Sequence, residues 1–200
     1  MSSPFAILRF SSFALLLIAG LANAEPVTLK VIPGKPNYVQ FTSVAPLETV
    51  VGHTDRISGT VLVDPENLTG NISAALTVEM GSLTTDNRIR DGHMRDHHLE
   101  TGKFPTCQFV IKTLGSEAPK KLESGKPETF TIKGEFTCHG VTKDIQPTVT
   151  TIWNPDEKSL NVIATFEVLL ADYSIPRPQF LVMKLDEKQS VTVKFTAQRE

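Results

Sequence analysis

The sequence of 200 residues is poor in the residue types that most often announce a chemistry, with two cysteines, one tryptophan and two tyrosines. It has no C-x-x-C pair, which removes the usual dithiol redox and zinc-ribbon patterns. It also lacks a G-x-S-x-G elbow, a phosphate loop, a dinucleotide fingerprint and the H-E-x-x-H of zinc hydrolases. Neither sign of charge is in large excess: 20 Lys and Arg stand against 22 Asp and Glu, for a net charge of -2. The lysines are scattered, so the clustered cations that nucleic acid requires are missing. No low-complexity tract and no repeat of fixed period is visible, and long hydrophobic runs are absent after the first two dozen residues.

Those first residues are different. Arg9 is the only charge before a stretch from Phe10 to Leu21 that is apolar apart from two serines, and Ala22-Asn23-Ala24 follows with the small residues of a signal-peptidase site. This reads as a secretory signal peptide over residues 1–24, cleaved near Ala24. Its core is shorter than the roughly 20 residues needed to span a bilayer. The expectation is an exported chain, periplasmic or secreted, with residues 25–200 as a single domain, no transmembrane segment and one more unit of negative charge.

The mature part alternates. Ile72, Ala74, Leu76, Val78 and Met80 fall on one face of one run, and the same period of two recurs in Ile57, Gly59, Val61, Val63, in Phe130, Ile132, Phe136, Cys138, in Leu160 through Leu170 on even positions, and in Val191, Val193, Phe195. Such runs are strands with one buried face. Turn chemistry separates them at Asp64-Pro65-Glu66-Asn67, Gly115-Ser116, Ser124-Gly125-Lys126-Pro127 and Asn154-Pro155-Asp156. About eight strands are implied, which points to an all-β barrel or sandwich. Residues 84–103 break the rhythm, because Ile89, Met94 and Leu99 are too widely spaced for a strand face; a short helix or ordered loop crossing one end of the sheet is expected there.

In an oxidising compartment Cys107 and Cys138 are expected to form one structural bridge. If Thr106–Leu114 pairs antiparallel with Thr129–Cys138, the register that opposes Cys107 to Cys138 also opposes Phe109 to Phe136 and Thr113 to Ile132, and it keeps the apolar residues of both strands on one face. A slip of two residues would separate the sulfurs, leaving two buried thiols that behave as small hydrophobes.

Three segments carry a resemblance. Ser82-Leu83-Thr84-Thr85-Asp86-Asn87-Arg88-Ile89-Arg90-Asp91-Gly92-His93-Met94, followed by Leu99 and Phe104-Pro105-Thr106-Cys107-Gln108-Phe109, resembles the YceI family of bacterial lipocalin-like proteins. So do Gly134-Glu135-Phe136-Thr137-Cys138-His139-Gly140-Val141-Thr142-Lys143 and Asp172-Tyr173-Ser174-Ile175-Pro176, in that order along essentially the whole mature chain. The resemblance implies an eight-stranded antiparallel lipocalin-like barrel that holds a polyisoprenoid or related amphiphile in the periplasm. Two departures stand out. Glu100-Thr101-Gly102-Lys103 replaces a D-F-F stretch common in that family, and the cysteine pair is an addition.

The family's ligand contacts are wall residues without a motif, so the candidates come from the alternation: Phe41, Leu76, Val78, Phe109, Phe136, Trp153, Phe166 and Phe195 as apolar lining. No catalytic residue is assigned, since no set of Ser, His and Asp is selected by spacing, and no cofactor is expected. His93, His97 and His98, three of the five histidines, form the densest chemistry. Four-residue spacing on a helix would let His93 and His97 share a metal, with His139 or His53 as a further ligand. Arg88, Arg90 and Asp91 either pin the crossover to the barrel rim, the favoured reading, or meet a ligand headgroup. His139 is read as structural. Asn67-Leu68-Thr69 and Asn71-Ile72-Ser73 fit the glycosylation pattern and are expected to be inert in a bacterial chain.

The leading reading is a non-enzymatic carrier of an isoprenoid or fatty amphiphile. A metal- or haem-binding stress protein built on the histidine segment and a ligand-free interaction module are the alternatives. The oligomeric state is left open, with a homodimer among the options.

Overall fold

A computed structural model describes residues 26–45, 48–180 and 183–199. The proposed signal peptide, residues 1–24, lies outside them. The strands are β1 (Val27–Val31), β2 (Tyr38–Val44), β3 (Thr49–Thr54), β4 (Ile57–Val63), β5 (Ser73–Glu79), β6 (Thr106–Leu114), β7 (Pro127–Cys138), β8 (Val141–Ile145), β9 (Thr148–Asn154), β10 (Ser159–Leu169), β11 (Gln179–Phe180), β12 (Met183–Lys184) and β13 (Lys188–Gln198). Every ladder between these strands is antiparallel. The order β1-β4-β5-β6-β7-β9-β10-β13 returns to β1 through Lys30 opposite Gln198, which closes a barrel of eight strands.

Closure is what the alternation requires. A sheet with one apolar face must cover it, and rolling the sheet on itself covers that face while leaving no free edge. Strands β2, β3 and β8 extend the wall upward, and β11 and β12 form a separate two-stranded sheet. The hairpin β2–β3 pairs with the upper part of β13, Val191 opposite Phe41 and Phe41 opposite Gly52. Strands β8 and β9 share one register against β7, interrupted at Gln146-Pro147, where proline offers no N–H to the ladder. The turn between β7 and β8 is two residues long, His139 and Gly140, with φ of 50° and 74°. Two positive φ values are what a tight hairpin of this hand demands.

The floor of the barrel is a packed cluster that includes Leu29, Val31, Ile57, Val61, Val63, Trp153, Leu160 and Ala197. Two loops close it from below, where the Leu122 amide donates to Pro65 O at 2.7 Å and the Leu68 amide to Lys120 O at 2.8 Å. A second cluster sits at the upper end, around Cys107, Cys138, Val168, Leu170, Tyr173 and Ile175. There Phe136 meets Phe166 and Tyr173 edge-on at 5.5 and 5.4 Å. Burial, aided by Asp172, pushes the Tyr173 phenol up to about 12.

Cys107 and Cys138 are bridged, with their Cα atoms 4.5 Å apart. The expected register is present from Gln108 opposite Thr137 to Ile111 opposite Gly134. Beyond that it shifts by one: Thr113 faces Lys133 rather than Ile132, and Leu114 faces Ile132. The cause is a bulge at Lys112. It lets that lysine turn outward to Glu135 and Asp144, each at 2.9 Å, while Ile111 and Leu114 both stay on the inner wall.

The bridge closes a loop across 31 residues of sequence. Replacing both cysteines by alanine is expected to cost about 2–4 kcal/mol, read as a lower denaturant midpoint with a steeper slope, because the unfolded chain opens further once the loop is released.

Candidate functional site

The barrel is wider than its own side chains fill. An elongated cavity of about 680 Å³ runs from the floor to one open end. Its wall is built from alternate residues of nearly every strand: Val39 and Phe41 of β2, Leu76 and Val78 of β5, Phe109 of β6, Phe130 and Phe136 of β7, Val162 and Phe166 of β10, Phe195 of β13. Of the eight residues proposed as lining, seven border this cavity. Trp153 does not: it faces inward but packs into the floor cluster, opposite Leu160, which does border the cavity. Phe130 borders the cavity through the same alternation that marked Phe136, and the pattern could have included it. Leu68 and Leu122 also border it, but they lie in loops where no period signals them.

Two glycines make the width possible. Gly52 lies directly opposite Phe41 on the inner face, and a Cβ there would fall 2.1 Å from the Phe41 ring, leaving no room for both. Gly134 does the same for Phe109, whose ring would be 2.5 Å from an added Cβ, with Val110 O at 2.4 Å. Each aromatic ring therefore lies flat against bare backbone instead of crossing the lumen.

The mouth carries the polar groups. Ala45 and Glu48 of the β2–β3 turn contribute to it, with Thr85, Asn87, Ile89, Arg90, His93 and His98 of the crossover segment. This segment is the helix α1 (Arg88–His93) continued by a wider turn over Met94–His98, in which the Leu99 amide donates to Met94 O at 2.8 Å. Asn87 caps α1, its Oδ1 accepting from the Ile89 and Arg90 amides, both at 3.1 Å.

Asp91 holds the segment down. Its buried carboxylate accepts from the Thr84 hydroxyl at 2.7 Å, the Thr85 amide at 2.7 Å and the Thr85 hydroxyl at 2.6 Å. Burial alone would raise its pKa; the Thr85 and Thr84 hydroxyls, the Thr85 amide and the Arg95 charge outweigh burial and hold it below the ordinary 3.8. Arg90 extends the tether, donating from Nε to Thr85 Oγ1 at 2.8 Å and from Nη1 to Glu48 Oε1 at 2.6 Å. Arg90 and Asp91 thus pin the crossover to the rim, whereas Arg88 stands exposed.

The histidine segment places its three rings along one side of the crossover. The His93 and His97 rings are 5.8 Å apart, and His98 Nδ1 is 2.9 Å from Pro176 O. His139 is elsewhere: its Nδ1 donates to Tyr173 O at 3.0 Å, its Nε2 lies 2.9 Å from Glu100 Oε2, and its ring packs on Phe104 at 4.3 Å. His53 forms a backbone bridge with Thr84. Among the described residues no group of three or more His, Cys, Asp or Glu converges to hold a metal ion. Glu100, which stands in the stretch that departs from the D-F-F pattern, is the residue that fastens the crossover to the His139 turn.

An antiparallel barrel of eight strands, floored at one end and open at the other onto an apolar interior, defines the lipocalin-like class of folds. Within it the chain belongs to the YceI family: the model of the YceI-like domain matches residues 33–198. Solved structures show the same fold at low identity. A polyisoprenoid-binding domain from Saccharophagus degradans, implicated in plant cell wall breakdown, superposes with a TM-score of 0.68 at 16% identity, covering 86% of this chain and 98% of its own. BcnA of Burkholderia cenocepacia gives 0.62 at 12% identity, covering 80% of this chain and 96% of its own. The YceI protein of Campylobacter jejuni gives 0.61 at 19% identity, covering 76% and 86% respectively. No curated protein sequence matches the chain significantly.

Three outcomes test this geometry. Gly52→Ala is expected to drive the Phe41 ring into the lumen, costing about 1–3 kcal/mol of stability and weakening uptake of a fluorescent fatty acid, read by titration. For the lid anchor, a depressed carboxyl pKa means that its contribution is complete above the ordinary value of 3.8 and is lost as the pH falls below it, through the lower folded value. Amide exchange over residues 84–99 is therefore expected to accelerate in strong acid ahead of the barrel strands. Asp91→Ala is expected to produce the same opening at neutral pH, at a cost of about 2–4 kcal/mol.

Proposed function

We propose that this protein is a non-enzymatic carrier that holds an isoprenoid or other long-chain amphiphile inside the barrel, in the periplasm after removal of residues 1–24. The observation that carries the reading is the cavity itself. Its volume of about 680 Å³ falls within the range of ligand pockets, its wall is almost entirely hydrocarbon, and most of its polar groups gather at the rim. A tail inside and a headgroup at the rim would meet complementary surfaces. Burial supplies the affinity: each 100 Å² of tail removed from water contributes roughly 2.5 kcal/mol, so no dedicated polar recognition is needed along the wall. Family membership and the description of the Saccharophagus domain as polyisoprenoid-binding support the same reading. Among the described residues that border the lumen no nucleophile is paired with a base, which favours carriage over catalysis.

Mass spectrometry of an organic extract of the protein, purified without detergent from cells that export it, is the direct test. A prenyl or acyl lipid recovered at close to one per chain is expected. An empty extract, together with no uptake of an added long-chain prenyl alcohol, would overturn the reading.

A further inference from the structure

Among the described residues three buried hydroxyls have no hydrogen-bond partner: Ser43 Oγ, Thr151 Oγ1 and Tyr173 Oη. Ser43 and Tyr173 do not border the cavity. Thr151 does, at 6% exposure. It lies deep, since Thr151 opposes Val162, which opposes Phe195, one inward layer above the floor set of Trp153, Leu160 and Ala197. Gln189, six positions from Phe195 along β13, marks the upper wall, so Thr151 lies well below that level.

Nothing in the wall answers this hydroxyl. The residues at its level and the next, Val162, Phe195, Phe130 and Val149, are hydrocarbon. Glu128 opposes Thr151 across the β7–β9 ladder, but its carboxylate is 3.1 Å from Lys126 Nζ and does not border the cavity. A lone water is poorly held there, because a buried water takes about two to four polar partners and Thr151 supplies one. An unpaired hydroxyl in such surroundings is costly, and valine would fill the same volume without that cost. A polar group at the bottom of a hydrocarbon tunnel makes physical sense when the occupant brings a partner for it.

We infer that Thr151 is a polar subsite for an oxygen function, a hydroxyl or carbonyl, at the end of the amphiphile that reaches the floor. This rests on the carrier reading above and narrows it: the ligand class becomes a long-chain amphiphile oxygenated at the end remote from the mouth as well as at its head. Discrimination follows from the apolar level around Thr151, where an oxygen without that partner would be buried unsatisfied.

The test compares palmitic acid with its ω-hydroxy derivative, whose extended length suits the tunnel, by titration calorimetry on the mature protein. The readout is the ratio of the two affinities, hydroxy acid over parent. In Thr151→Val this ratio is expected to fall about three- to tenfold relative to the unsubstituted protein, the range that one neutral hydrogen bond supplies. The parent acid should bind that variant at least as tightly. Thr151→Ser is expected to keep the ratio, and Thr151→Ala to lose it, which covers the case in which valine disturbs the wall. An unchanged ratio in Thr151→Val and Thr151→Ala would overturn the subsite while leaving the carrier reading intact. Failure of both acids to bind the unsubstituted protein would overturn the carrier reading, and the subsite with it.

Discussion

Closure of the β1–β13 seam is the constraint on which the other features rest. Lys30 opposite Gln198 is a single pair, yet it completes a ring of ladders in which each strand has a neighbour on both sides. Once the ring is shut, period-two alternation has only one meaning: even-numbered residues of β10 and odd-numbered residues of β13 look into the same enclosed volume. The interior is then fixed by what those positions carry. They carry large aromatics beside glycines, as at Phe41 and Gly52, so mass is placed against the wall and the centre is left free.

The two ends of the barrel are solved by different chemistry. The floor is closed by burial, with Trp153, Leu160 and Ala197 packed against Leu68 and Leu122 from two loops tied by backbone hydrogen bonds. The upper end is held by short polar bonds that run from the buried Asp91 carboxylate out to the exposed Glu48. Asp91 gathers Thr84 and Thr85, Arg90 ties that knot to Glu48, and Glu100 reaches the His139 turn. An apolar plug excludes everything, whereas a polar strap over an open mouth holds a segment in place without filling the lumen beneath it. That asymmetry gives the tunnel a direction.

Much of this was legible in the sequence, and the reasons can be named. The alternation in Leu160–Leu170 and Val191–Phe195 identified inner faces because side chains of a strand leave its two sides in turn. The cysteine register was legible because only one parity keeps Phe109 and Phe136 on the same face as Cys107 and Cys138. The bulge at Lys112 was not, since it adds a residue to one strand without changing the hydrophobic pattern on either side, and so Thr113 was set against the wrong partner. Trp153 satisfied the alternation as well as Phe166 did. Periodicity tells which way a side chain points but not how high along the barrel it lies.

By itself, the sequence determined an all-β fold, the face each strand buries, the irregular crossover over residues 84–103 and the strand parity that allows Cys107 and Cys138 to meet. All of these follow from local periodicity, turn residues and parity, which the chain carries wherever it is in space. Tertiary structure alone decided that the lumen stays open, that His98 meets Pro176 and His139 finds Glu100, and that the Thr151 hydroxyl faces the cavity with no partner. Those are matters of distance between residues far apart in the chain, set by strand stagger and by how bulky and missing side chains mesh across a closed wall. No pattern read along one strand contains them.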